Sequence, residues 1–408
     1  MKTSRAALAL AACALLLAGC GGGSDETLER RALSANSSAA QAGAAEPPIA
    51  IFPGRGELHQ VVPLASFTLG QIASAVAVPG ARVAGAVPRY DVQTWRVSYR
   101  TVDGANRPIV ASGLMAIPAK PAGSMSPVIG YQHGTIFKDA EAPSNALAPG
   151  EPPIVLASLG FIVVAADYVG YGVSRGAQHP YLLSAPTAAA VNDLLIAARL
   201  WRQGTLHRGN GQLFLVGYSE GGYATAAAHR EIAQGAGPLR ETLVASLAGG
   251  GPQDVGTTLD RLLAQVKDRN ILLGALINPG FLRHLGSTIR DEVRRAMLRE
   301  IIPDDADVSF QSTFLDFFLA DDVGNIERHC NVLDWAPEVP YRLFHGRDDR
   351  TVTYLSSQNA VTRAIAAGAA PDLVSFADCA ASPSDHLPCV NPFFRYVSEY
   401  LRWLARDL

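Results

Sequence analysis

Leu213-Phe214-Leu215-Val216 runs directly into Gly217-Tyr218-Ser219-Glu220-Gly221, and an Ala-rich stretch from Ala224 to Gln234 follows. Four apolar residues, a serine flanked by glycines and a helical stretch describe strand, turn and helix in succession. The turn matches G-x-S-x-G, a pattern that places a serine on a tight, strained corner. Side chains at 217 or 221 would collide there with neighbouring backbone. The helix that follows presents free N–H groups and the positive end of its dipole to developing negative charge. An ordinary glycine-rich turn has the same composition. Ser219 therefore reads as a nucleophile only if a base and an acid exist elsewhere in the chain.

Outward from this turn the pattern alternates. Val97–Arg100, Ala111–Ile117 and Val128–Tyr131 read as early strands, and Ile154–Leu159 as a short helix. Phe161–Ala166 is a continuous apolar run, which suits a parallel strand covered on both faces. Ala188, Val191, Leu194, Leu195 and Ala198 recur at helical spacing within Pro186–Gln203. Leu243–Leu247, Tyr341–Phe344 and Leu373–Phe376 are further strands, with helices over Leu355–Ala367 and Pro392–Leu408. Strands alternating with helices predict an α/β fold, a mainly parallel sheet with helices on both faces. The stretch from about 254 to 337 breaks the rhythm. It is helical in pattern with a break at Pro279-Gly280, and reads as an inserted cap. Its Phe310, Phe314, Phe317 and Phe318 form either the cap's own core or part of an acyl pocket.

The strand Tyr341–Phe344 leads into His345-Gly346-Arg347-Asp348-Asp349-Arg350-Thr351-Val352. This resembles the H-G-x-x-D-x-x-V turn of α/β hydrolases, and the resemblance places the acid at Asp349, with Asp348 as the neighbour that could replace it. His345 belongs to the turn and is not expected to act. In that fold the histidine follows the acid, and His386 alone lies beyond it, in Ser384-Asp385-His386-Leu387. The resemblance thus implies Ser219, Asp349 and His386 as an ordered triad. One oxyanion donor would be the backbone N–H of Glu220. Gln132-His133-Gly134-Thr135 resembles a His-Gly-x oxyanion loop and offers the second, the N–H of Thr135 or of Gly134. Asp167-Tyr168-Val169-Gly170-Tyr171-Gly172-Val173-Ser174 resembles a structural turn common in the superfamily. With His179-Pro180-Tyr181 and the Gly-Tyr-Ser-x-Gly-Gly elbow, it makes residues 90 to 405 similar to bacterial members of the secretory lipase family, related to fungal lipase A enzymes. Two positions depart from that pattern: Glu220 after the nucleophile, and Leu387-Pro388 after the histidine.

The amino terminus reads as a targeting segment. Lys2 and Arg5 precede an apolar run from Ala6 to Ala18, too short to span a membrane as a helix. Leu17-Ala18-Gly19-Cys20 resembles a bacterial lipobox, which implies lipidation at Cys20 and a membrane anchor, with Gly21 compatible with outer-membrane sorting. Residues 21–48 are Gly-, Ala- and Ser-rich and predict a flexible tether, with the globular part starting near Ile49. Of five cysteines, Cys330, Cys379 and Cys389 remain after the leader. Three single pairings are possible. Cys379–Cys389 closes a short loop and is favoured, and an oxidising compartment would permit it.

The formal charge of −3 over 408 residues shows no basic stripe, which argues against nucleic acid as a partner. The sequence contains no H-E-x-x-H and no paired-cysteine ligand motif, and Gly249-Gly250-Gly251 lacks phosphate-loop or dinucleotide spacing. Neither a metal nor another cofactor is expected. The leading expectation is an exported serine esterase or lipase acting on a small-molecule ester or lipid. A peptidase or amidase with the same triad, or a surface lipoprotein that binds without catalysis, are the alternatives.

Overall fold

The structure is a computed structural model that describes residues 54–269 and 280–408. The leader, Cys20, the tether, the start near Ile49 and Pro279 lie outside the described residues. Nine strands form one sheet: β1 (Leu58–Phe67), β2 (Val92–Val102), β3 (Pro108–Pro118), β4 (Met125–Gln132), β5 (Ile162–Ala166), β6 (Arg208–Tyr218), β7 (Leu243–Gly249), β8 (Tyr341–His345) and β9 (Val374–Asp378). Their order is β1-β2-β3-β5-β4-β6-β7-β8-β9. Pairs from β1 to β5 along this order are antiparallel, and every pair from β5 to β9 is parallel.

Among the described residues the helices of seven residues or more are α1 (Leu69–Val76), α2 (Pro152–Ser158), α3 (Ser184–Gln203), α4 (Glu220–Gln234), α5 (Val255–Arg269), α6 (Ser287–Ile301), α7 (Thr313–Leu319), α8 (Tyr354–Ala366) and α9 (Val390–Leu404). Strand alternation explains how both faces are covered. In β6, Leu213 and Leu215 join a core with α3 and α4, through Leu194, Ala224 and Ala228. Phe214 and Val216 point the other way, into a core with α2 and α9 that contains Ile154, Phe393 and Val397. An apolar run is what such a two-faced strand demands, because neither set of side chains meets water. Helix α9 shows the same logic at helical period. Phe393, Phe394, Val397 and Leu401 are buried, while Arg395 and Arg402 face out. Each buried side chain of this size contributes about 1.5–3 kcal/mol.

Two of the elements that differ from the sequence expectation are β1 and α4. β1 lies at the sheet edge and pairs with β2 alone, and its faces are mostly solvated. It includes Pro63, which an edge strand tolerates because one row of its backbone groups needs no partner. Its weak apolar alternation hides it from a periodicity reading. Helix α4 begins at Glu220, four residues before the Ala-rich stretch. Gly221 and Gly222 lower helix propensity but are required by proximity. A Cβ on Gly221 would lie 2.1 Å from the Gln132 carbonyl oxygen, and one on Gly222 would lie 2.4 Å from that of Gly249. Among the described residues between β7 and β8 stand α5, α6 and α7, with short helical turns at Leu282–His284 and Ile326–Cys330.

Backbone cannot yield to a new Cβ as a flexible side chain can. Gly221→Ala is therefore expected to lower stability by about 3 kcal/mol or more, at the upper end of overpacking costs. Gly70, exposed in the first turn of α1 with nothing closer than 4.0 Å to a new Cβ, provides the contrast. Gly70→Ala should leave the protein unchanged or stabilise it by about 0.5 kcal/mol. Thermal melts of the two variants test this, and a Gly221→Ala melt matching the wild type would show that the elbow has room to relax.

Candidate active site

The elbow places Ser219 at φ +59° and ψ −126°, a region a non-glycine residue enters only under strain. The cost is about 1–3 kcal/mol, and close packing on both sides sustains it. A Cβ on Gly217 would lie 2.2 Å from the Gly221 carbonyl oxygen, so chain crosses chain with no side chain between. Ser219 N–H donates to the Gly249 carbonyl at 2.8 Å, which pins the corner to the end of β7. Between β6 and α4 the serine hydroxyl is left half-buried and reachable.

His386 Nε2 lies 2.8 Å from Ser219 Oγ, and its Nδ1 lies 2.6 Å from Asp349 Oδ2. Since a carboxylate only accepts, Nδ1 carries the hydrogen and Nε2 presents its lone pair to the serine hydroxyl. Asp349 is held from four directions. Oδ1 accepts the backbone N–H groups of Thr351 and Val352 at 2.9 and 2.8 Å. Oδ2 accepts from His386 and also lies 3.2 Å from His345 Nε2. Burial opposes the charge on Asp349, but hydrogen bonds from His345 and His386 outweigh it and hold the carboxyl well below the usual carboxylate range. The carboxylate is therefore ionised at neutral pH.

His345 is the residue the sequence reading set aside. It closes β8, is fully buried, and is fixed by Ser357 Oγ at 2.8 Å and the Val352 carbonyl at 3.0 Å. It clamps the acid rather than filling a turn. Asp348, the alternative acid, points elsewhere: its Oδ2 accepts from the backbone and hydroxyl of Ser384, both at 2.9 Å. It braces the loop that carries His386. Two further ties hold that loop. Tyr218 Oη donates to the His386 carbonyl at 2.8 Å, and Asp385 accepts from Arg350 at 2.6 Å. The Cys379–Cys389 disulfide closes the same loop, and Cys330 is free and buried.

Gly134 packs onto the elbow, where an added Cβ would lie 3.2 Å from the Tyr218 carbonyl oxygen and 3.5 Å from Ser219 Cβ. Thr135 follows, its hydroxyl 3.2 Å from Tyr181 Oη. Gly134, Thr135, Ser219, Glu220 and His386 all line one cavity of about 1000 Å³. Glu220 is 2% exposed, with Oε1 2.7 Å from Nε2 of a buried His179. The cavity's apolar wall includes Leu259 and Leu262 of α5, Pro152 and Pro153 of α2, and Phe394 of α9. The four phenylalanines of the sequence reading are not on that wall. Phe314 and Phe318 are buried among α5, α6 and α7, Phe317 packs against that cluster, and Phe310 stands against His179 and Tyr181. Asp167 is structural, as expected. It is fully buried and accepts from the hydroxyls of Ser112 and Ser144.

No protein-family model and no curated protein matches the chain. Solved structures do. A candidate hydrolase of Legionella pneumophila superposes with a TM-score of 0.65 at 22% identity, over 86% of this chain and 99% of that one. The rice cell wall degrading esterase LipA of Xanthomonas oryzae gives 0.64 at 25% identity, over 87% of this chain and all of that one. Candida antarctica lipase A in its closed state gives 0.55 at 18% identity, covering 86% and 83%. The chain has the α/β-hydrolase fold, in the form shared by these lipase- and esterase-like structures.

Proposed function

We propose that this protein is an exported serine hydrolase that cleaves carboxylic esters through an acyl-enzyme. The observation that carries the reading is the unbroken chain Asp349–His386–Ser219, with the serine on a strained elbow facing a large cavity. His386 Nε2 takes the hydroxyl proton as Ser219 Oγ attacks the ester carbonyl. Asp349 keeps the ring in the required tautomer and stabilises the imidazolium. The N–H of Glu220, at the free first turn of α4, and that of Thr135 or Gly134 receive the oxyanion. Each such donor is worth about 3–4 kcal/mol in the transition state. His386 then protonates the leaving alcohol, and water repeats the sequence on the acyl group.

Residues 254–337 act as a cap in this reading, because α5 supplies one wall of the cavity. Its leucines, with Phe394 and the α2 prolines, fit an apolar acyl chain. Export rests on the leader, on Cys20 as the lipid anchor, and on a disulfide that suits an oxidising compartment. Among the described residues no helix is long and apolar enough to cross a membrane, so attachment in this reading falls to the lipid.

Ser219→Ala should abolish turnover of p-nitrophenyl butyrate while the thermal midpoint stays within a few degrees. Turnover that survives this change would overturn the assignment. Asp349→Asn should lower kcat about 10⁴-fold, the order found when a triad acid loses its charge and the tautomer is lost. The same carboxylate sets a pH dependence. Its folded value lies below the unfolded one, so its stabilisation is complete above about pH 4 and is lost as pH falls through the acid range. The gap in melting temperature between wild type and Asp349→Asn should therefore be widest near pH 6 and narrow toward pH 2. A gap independent of pH would mean that the carboxylate is not held by charge.

A further inference from the structure

Glu220 immediately follows the nucleophile and opens α4, yet its side chain is a carboxyl buried beside the place where negative charge would develop. Among the described residues its one ionic partner is His179, which is 1% exposed. Oε2 is buried and has no hydrogen-bond partner. The His179 ring cannot turn away. Nδ1 lies 3.0 Å from the Val169 carbonyl, and the ring is enclosed by Tyr168, Tyr171, Tyr181 and Phe310 at centroid distances of 5.2 to 5.9 Å. A carbonyl only accepts, so Nδ1 carries a hydrogen. The 2.7 Å contact between Nε2 and Oε1 requires a second hydrogen, on one atom or the other. With those two hydrogens the pair has no net charge, whichever partner holds the second one.

We propose that His179 is a positioning residue that acts through Glu220: it cancels the carboxyl's charge, so that the oxyanion forming at the first turn of α4 meets no standing anion. This rests on the reading of Ser219 as nucleophile and of Glu220 N–H as an oxyanion donor. Water is excluded from the pair, so an uncancelled charge would act at low dielectric and oppose the transition state far more than the neutral ground state. His179 also ties its segment to residues 309–311, through its N–H to the Ser309 carbonyl at 2.7 Å and its carbonyl to Gln311 N–H at 2.8 Å. A purely structural role for the ring would lie in that packing, and the two roles separate by rescue.

The full-length protein is assayed with p-nitrophenyl butyrate for kcat and KM. His179→Phe keeps an aromatic ring in the cage and strips the carboxyl of its donor. It should lower kcat at least tenfold with KM changed less than threefold. Adding Glu220→Gln, which removes the charge but keeps the shape, should return at least fivefold of that loss. Glu220→Asp keeps the charge but withdraws it from His179 by one methylene, and should be at least fivefold slower than Glu220→Gln. A double variant no faster than His179→Phe, or a His179→Phe variant with wild-type kcat, overturns the proposal. Equal rates for Glu220→Asp and Glu220→Gln overturn it as well, and that comparison decides alone if His179→Phe does not fold. Failure of the underlying reading shows separately, as turnover that survives Ser219→Ala.

Discussion

The close crossing of backbone at Gly217, Gly221 and the Gln132 carbonyl is the constraint on which the rest of the site depends. It forces Ser219 to positive φ and turns the hydroxyl out of the sheet. It also starts α4 at Glu220, so that the helix opens next to the Ser219 hydroxyl. Relaxing the corner would lower its local energy by a few kcal/mol. It stays strained because three strands meet there. β4 supplies the Gln132 carbonyl, β6 the serine, and β7 the Gly249 carbonyl that holds Ser219 N–H. Strain stored in one residue is sustained by the pairing of the central sheet.

Two histidine–carboxylate pairs flank that corner, and they are built to opposite ends. Asp349 accepts from two backbone N–H groups and two imidazoles, so its charge is stabilised and the His386 ring is oriented. Among the described residues Glu220 accepts from His179 alone, and its second oxygen has no partner. In the proposed mechanism the first arrangement maintains an anion where an imidazolium would form, and the second suppresses one where an oxyanion would form. The same two residue types serve both purposes because the number of donors around the carboxyl, rather than the residue, decides whether charge is tolerated.

Most of this architecture was legible in the sequence where one strand was apolar on both faces. The runs at 161–166 and 213–216 are such strands, and each occupies the parallel half of the sheet. The chain order implied by the resemblance to α/β hydrolases then singles out His386 as the expected base. What escaped had physical reasons. β1 is an edge strand with solvated faces, so it lacks the period that marks a strand. His345 looked like a loop histidine because one residue cannot report that it ends a buried strand. The His179–Glu220 contact joins residues 41 apart, and neither position has a local pattern that names the other. Each position stands out in its own segment, yet only the fold brings the two together.

The phenylalanines at 310–318 show why the helical stretch between β7 and β8 is harder to read than the sheet. Aromatic residues maximise buried area, and a helical stretch too small to have a deep interior uses them for its own cohesion. The wall facing the serine comes instead from α5, which has two adjoining stripes. Val255, Leu259, Leu263 and Val266 form the stripe that packs into the core. Thr258, Leu262, Gln265 and Arg269 follow one another at the same helical spacing and line the cavity. Leu259 belongs to both. The cavity stripe runs from apolar to charged along the helix, so the wall changes character with distance along it. A change at 263 disturbs the packing of α5 into the core. A change at 262 alters the cavity wall first, and the packing less, because Leu262 is only partly buried against that core. The residues that anchor α5 and those that shape the cavity are therefore neighbours on a single helix, one residue apart in sequence and about 100° apart around its axis.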